Sequence, residues 1–129
     1  MAPISVTLAP RDPPAAVVAL VGEHDAYSAE RLEGELGVLL EDRLPIVVDL
    51  CDAEFIDSMT LATMLAARRA AAGAGLGFTL VLPQRDHAQV SRLLELTGLR
   101  SSFAIYDMVD DALVAARAGA NGGSVRSAA

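Results

Sequence analysis

Chemistry-bearing side chains crowd into one run, Cys51–Thr60, which reads CDAEFIDSMT. The run holds a thiol at Cys51, carboxylates at Asp52, Glu54 and Asp57, and hydroxyls at Ser58 and Thr60, with Asp49 just upstream. Carboxylates gathered at one strand end make a Mg²⁺ site conceivable. Their spacing matches no loop motif such as an EF-hand, however, and a solvated rim is the plainer reading. Ser58 stands where a helix is expected to begin, and its default task there is to cap first-turn amides. If Asp57 caps instead, the Ser58 hydroxyl is left to face outward. His24 and His87 have the chemical capability of general bases. Neither has a nucleophile or metal partner visible in the sequence, so both read as ordinary surface or loop residues. Cys51 follows an apolar run and reads as a structural thiol.

No G-x-x-x-x-G-K-[ST], G-x-S-x-G or H-E-x-x-H motif occurs in the chain. Gly73–Gly77 (GAGLG) precedes an expected strand rather than joining a strand to a helix, so it reads as a helix stop and not a dinucleotide loop. A hydrolase built on Ser58 and a histidine lacks any visible oxyanion site or oriented base. The expectation is a protein that is not an enzyme, with no cofactor and no metal.

The elements that must position this run follow from periodicity. Ile4–Leu8 alternates with period two and reads as a strand, APRDPP as a turn, and Val17–Val21 as a second strand paired antiparallel with the first. GEHDAYS leads into a helix with Ser28 as a plausible N-cap and Leu32, Leu36, Leu39 and Leu40 on its buried stripe. Ile46–Leu50 is almost wholly apolar, the pattern of a central strand covered on both faces. A second helix starts at about Ser58, with Leu61, Met64 and Leu65 on one face, and Phe78–Leu82 is another buried strand. A third helix turns Val90, Leu93 and Leu94 inward and stops at Gly98. Phe103–Tyr106 reads as a last strand. A final helix carries Asp110 and Asp111 in its first turn and Val109, Ala112, Leu113 and Ala116 on its stripe. This order predicts an α/β domain over residues 1–118, a mixed β-sheet of about five strands packed with about four helices. Residues 119–129, rich in Gly, Ala and Ser, are expected to form a disordered tail.

Bulk properties narrow the function further. The chain has 129 residues and a formal net charge of −7, enough length for one core and the wrong charge for a phosphate backbone. Direct DNA binding is therefore not expected. A single cysteine forbids an internal disulfide. MAPISVTLAP lacks the build of a signal peptide, and no apolar run approaches the ~18 residues of a membrane span. A cytoplasmic protein that does not enter membranes is expected.

The long stretches match a known pattern. VVDLCDAEFIDS resembles the hallmark D-L-x-x-x-x-F-I-D-S of the STAS domain, with Asp49, Leu50, Phe55, Ile56, Asp57 and Ser58 in place. VGEHDAYSAERL resembles the G-x-x-D strand end and following helix of the same family. LVLPQRDHAQVSRLLELTGLRSSFAIYDMVDDAL resembles its closing helix, T-G-L turn, strand and last helix. Together they cover roughly Val17 to Leu113. STAS domains occur in bacterial anti-sigma factor antagonists and in the tails of some anion transporters. The resemblance implies an anti-sigma factor antagonist whose partner is an anti-sigma factor with serine kinase activity, reset by a PP2C-type phosphatase. It implies Ser58 as the phosphoacceptor, with Thr60 as an alternative. Glu23, Asp25, Asp52, Glu54, Asp57, Ser58, Met59 and Thr60 then form the partner-binding face. Met59 and Thr60 depart from the small residue and glycine usual after the serine. That departure leaves a second reading, a scaffold subunit without a phosphorylation cycle in a signalling or lipid-transport assembly.

Overall fold

The tetrapeptide Ile46–Asp49 (β4) places three consecutive fully buried residues in an extended chain, which only the middle of a covered sheet can satisfy. The computed structural model describes residues 3–11, 13–82 and 88–122. In it β4 is the third of five strands. β1 (Ile4–Ala9) pairs antiparallel with β2 (Ala15–Leu20); β2, β4, β6 (Phe78–Val81) and β7 (Ala104–Tyr106) then run parallel, in the order β1-β2-β4-β6-β7. The mixed five-stranded sheet and the helices α1 (Ala26–Glu41), α2 (Ser58–Gly73), α3 (Ala88–Thr97) and α4 (Val109–Arg117) match the expected α/β architecture.

Strand parity divides the core. Ala16, Val18, Leu20, Ile46, Val48, Phe78 and Leu80 face the main core, where Leu32, Leu36 and Leu39 of α1 and Leu61 and Met64 of α2 meet them. Val47 and Val81 point the other way, onto Ala112 and Ala116 of α4. That second layer is thin. Thr79 donates its hydroxyl to the Ala112 carbonyl at 3.0 Å, and a Cβ at Gly77 would lie 2.0 Å from the Ala116 oxygen. Only glycine lets α4 sit this close.

Four expectations shift. The second strand runs from Ala15 to Leu20 rather than from Val17 to Val21, because its outer alanines also complete the ladder with β1. Phe103 lies outside β7 and closes the short 3₁₀ turn Arg100–Ser102 instead. Ser28 does not cap α1; Asp25 does, accepting from Tyr27 N at 3.1 Å and Ser28 N at 3.3 Å, and Ser28 is buried in the first turn. Aspartate and serine cap about equally well, so composition does not choose between them. Residues 119–122, assigned to a tail by their composition, are instead tied down. Phe78 N donates to the Ala120 carbonyl at 2.8 Å. The Asn121 amide donates to the carbonyls of Arg68 and Leu76 and accepts from the Arg68 guanidinium at 2.6 Å. His87 and residues 123–129 lie outside the described residues.

Candidate functional site

Two short strands absent from the sequence reading build the site. β3 (Gly22–His24) and β5 (Ala53–Ile56) pair in parallel, apart from the main sheet, with Glu23 opposite Phe55 and His24 opposite Ile56. Gly22 adopts φ +82°, a conformation that favours glycine, and its N–H donates to the Asp52 carbonyl at 2.9 Å. This pairing brings the two polar loops side by side. It also sets the starts of α1 and α2 next to each other, because Asp57 N donates to the His24 carbonyl at 3.2 Å.

Asp57 caps α2. Its Oδ1 accepts from Thr60 N at 2.8 Å and from the Thr60 hydroxyl at 2.9 Å. The cap role left open between Asp57 and Ser58 thus falls to Asp57, and Ser58 is the exposed first residue of the helix. Thr60 is fully buried with its hydroxyl committed to the cap. The residue in the usual glycine place therefore points inward and leaves the outer surface beside Ser58 open.

The remaining expected residues spread along one rim. Glu23 and Glu54 are exposed on β3 and β5, Asp25 is exposed at the start of α1, Asp52 is exposed between β4 and β5, and Met59 projects from the first turn of α2. The rim is not purely acidic. Tyr27 is 77 % exposed and Phe55 41 % exposed, so two of the five aromatic residues in the chain face solvent here. Aromatic and methionine side chains with a polar surround are the make-up of a protein-binding surface. The sequence reading did not single out Tyr27 or Phe55 as surface residues; Phe55 breaks the alternation of a strand that was itself unrecognised.

Gln89 is a further missed residue. Its amide donates to the Ile56 carbonyl at 2.9 Å and accepts from Ile56 N at 3.0 Å, so a side chain from α3 acts as a third strand against β5. The residue it holds precedes the cap Asp57. Its only sequence signal is a polar residue beside the inward-facing Val90.

The other candidates are structural. His24 is buried, contrary to the surface reading. Its Nε2–H donates to the Val21 carbonyl at 3.0 Å, while Nδ1 finds no partner among the described residues. Burial lowers its pKa below 6.5. The Cys51 thiol is pushed up to about 12, chiefly by burial and then by its hydrogen bond with Asp49, so it is no nucleophile at neutral pH. Asp49 also accepts from Cys51 N at 2.9 Å. Among the described residues, no group of three or more His, Cys, Asp and Glu side chains could hold a metal ion, and no helix is long and apolar enough to cross a membrane.

This geometry has counterparts. The chain is 32 % identical over 120 residues to the anti-sigma-F factor antagonist RsfB of Mycobacterium tuberculosis, covering 92 % of this chain and 95 % of that protein. The crystal structure of an anti-sigma factor antagonist from Mycobacterium paratuberculosis superimposes with a TM-score of 0.71 at 31 % identity, over 89 % of this chain and 95 % of that one. The Bacillus cell fate determinant SpoIIAA, solved in its phosphorylated form, shares the fold with a TM-score of 0.63 at 16 % identity, over 87 % of this chain and 97 % of its own. The STAS domain family model matches residues 7–112. That span takes in α1, α2 and α3 whole, the first turn of α4, the small β3–β5 sheet and the Asp57–Ser58 cap, so the chain belongs to the STAS domain family.

Proposed function

We propose that the protein is an anti-sigma factor antagonist, a binding switch of the cytoplasm rather than an enzyme. It docks an anti-sigma factor of the serine-kinase type through the rim of Glu23, Asp25, Asp52, Glu54, Asp57, Ser58 and Met59, and phosphorylation of Ser58 releases it. A PP2C-type phosphatase restores the unmodified form. The names of its relatives support the first part. The observation that carries the second is the division of labour at α2: Asp57 caps, Thr60 is buried against it, and Ser58 is exposed.

The electrostatics of the helix start suit such a switch. In the transfer, the Ser58 oxygen bonds to the γ-phosphorus of the kinase-held nucleotide, the bond to the leaving diphosphate breaks, and the hydroxyl proton is released. The product carries about −1.5 to −2 charges. The N–H groups of Ser58 and Met59 are orphan donors of the first turn and sit at the positive end of the helix dipole, which favours an exposed anion by ~0.3–1 kcal/mol. The fold therefore tolerates the phosphate. The interface does not, because the new charge stands beside Asp57 and Glu54, and like charges at an interface cost several kcal/mol.

The test is ATP-dependent labelling by each purified serine-kinase anti-sigma factor of the source organism, with the site mapped by mass spectrometry. Phosphate on Ser58 alone, abolished in Ser58→Ala, is expected. Modification at Thr60 would contradict the buried cap. Binding without any modification would turn the reading toward a scaffold subunit.

A further inference from the structure

α1 and α2 lie side by side and point the same way: Ala26 and Ala29 of α1 line one depression with Met59 at the start of α2, and Leu36 and Leu40 line another with Ala66 and Ala67 further along. Between them run two depressions of about 290 and 190 Å³. Both are lined by Glu33 and Thr63, so they form one furrow that starts at Met59, beside Ser58, and continues along the helices.

Gly37 in its wall has no internal explanation. Glycine is a poor helix-interior residue, yet a Cβ built on Gly37 meets nothing within 4 Å, and its backbone is ordinary right-handed helix. Gly34, three residues earlier on the same stripe of α1, is equally unobstructed. Nothing inside the fold requires either position to be bare. What both permit is close approach from outside. Exposed Glu30, Glu33 and Glu41 flank the same stripe, giving an apolar floor with an acidic edge.

We propose that this furrow seats an amphipathic helix of the anti-sigma factor. Its aliphatic side chains would lie over Gly37, Leu40 and Ala66, and its lysines or arginines against Glu30 and Glu33. Helix-in-groove docking needs such a floor, and a basic helix complements both the edge and the net charge of −7. The inference rests on the proposed function and extends its footprint from the Ser58 rim along the two helices.

Titration of the purified anti-sigma factor against four variants separates the two ideas. Gly37→Lys and Glu33→Lys are expected to lower affinity about tenfold or more, while their melting temperatures stay at or above that of the wild type. Val114→Lys adds the same single charge as Gly37→Lys at an exposed position of α4, across the sheet, and is expected to bind as the wild type does. Ser58→Asp reports on the rim alone. If Ser58→Asp loses binding while Gly37→Lys and Glu33→Lys retain it, the furrow inference is overturned and the switch stands. If Ser58→Asp binds normally and the furrow variants do not, the phosphorylation reading falls and the furrow survives. Absence of wild-type binding sinks both. Conversion of a wild-type dimer to monomer by Gly37→Lys, seen by sedimentation, would assign the furrow to a second copy and overturn the proposal.

Discussion

α1 and α2 begin in the same way. Each follows a strand of the β3–β5 pair, each is capped by an aspartate, and each carries a hydroxyl residue three positions after the cap: Asp25-Ala26-Tyr27-Ser28 and Asp57-Ser58-Met59-Thr60. In both, the aspartate accepts from the N–H of that third residue, and the third residue is buried. The two starts differ at the position directly after the cap, where α1 has Ala26 and α2 has the exposed Ser58. The buried hydroxyls belong to the scaffold. Under the proposed function, the hydroxyl residue that meets a partner is the one the scaffold does not need.

The second difference is strength. Thr60 donates both its N–H and its hydroxyl to Asp57, whereas bonds to the Asp25 carboxylate come from backbone N–H groups, at longer distances. Asp57→Ala removes a cap worth ~1 kcal/mol and strands a buried hydroxyl worth ~1–3 kcal/mol more. A loss of about 2–4 kcal/mol in urea unfolding is expected. Gln89→Leu strips both backbone partners from Ile56 and should cost about 2 kcal/mol, with faster amide exchange at Ile56 and Asp57. Asp25→Ala should cost only ~1 kcal/mol. Equal losses for the two aspartates would erase the asymmetry.

His24 couples the two starts through its carbonyl, and its effect on stability depends on pH. Because its folded pKa lies below the unfolded 6.5, the unfolded chain binds the proton more readily. Its contribution is present above pH 6.5 and is lost as pH falls through 6.5 toward the folded value. Denaturation midpoints measured from pH 7.5 to 5.5 should therefore decline, and a His24→Leu variant should decline less over that window.

Much of this was legible from residue patterns. The apolar runs at Ile46 and Phe78 announced central strands because both faces of each are covered, and the leucine stripe of α1 followed directly from its period. Glu23, Asp25, Asp52, Glu54 and Ser58, expected on one face, lie exposed on and beside the β3–β5 pair. β3 and β5 were hidden because they are three and four residues long and carry Gly22, Glu23 and Glu54, residues that read as turn and surface. Asn121 was hidden in a run of glycine and alanine, where its amide turned out to serve the open carbonyls of Arg68 and Leu76. Whether Asp57 or Ser58 caps could be posed from sequence but needed geometry to answer, since both side chains suit the position.

The central claim is that charge gained at the mouth of α2 ends association without disturbing the fold. It is tested most directly by preparing the protein fully phosphorylated on Ser58 and measuring its affinity for the anti-sigma factor beside its thermal unfolding. The account predicts an affinity about a hundredfold weaker than that of the unmodified protein, equivalent to ~2.8 kcal/mol, with the melting temperature essentially unchanged. Equal affinity of the two forms, or a melting temperature that collapses on phosphorylation, would contradict it.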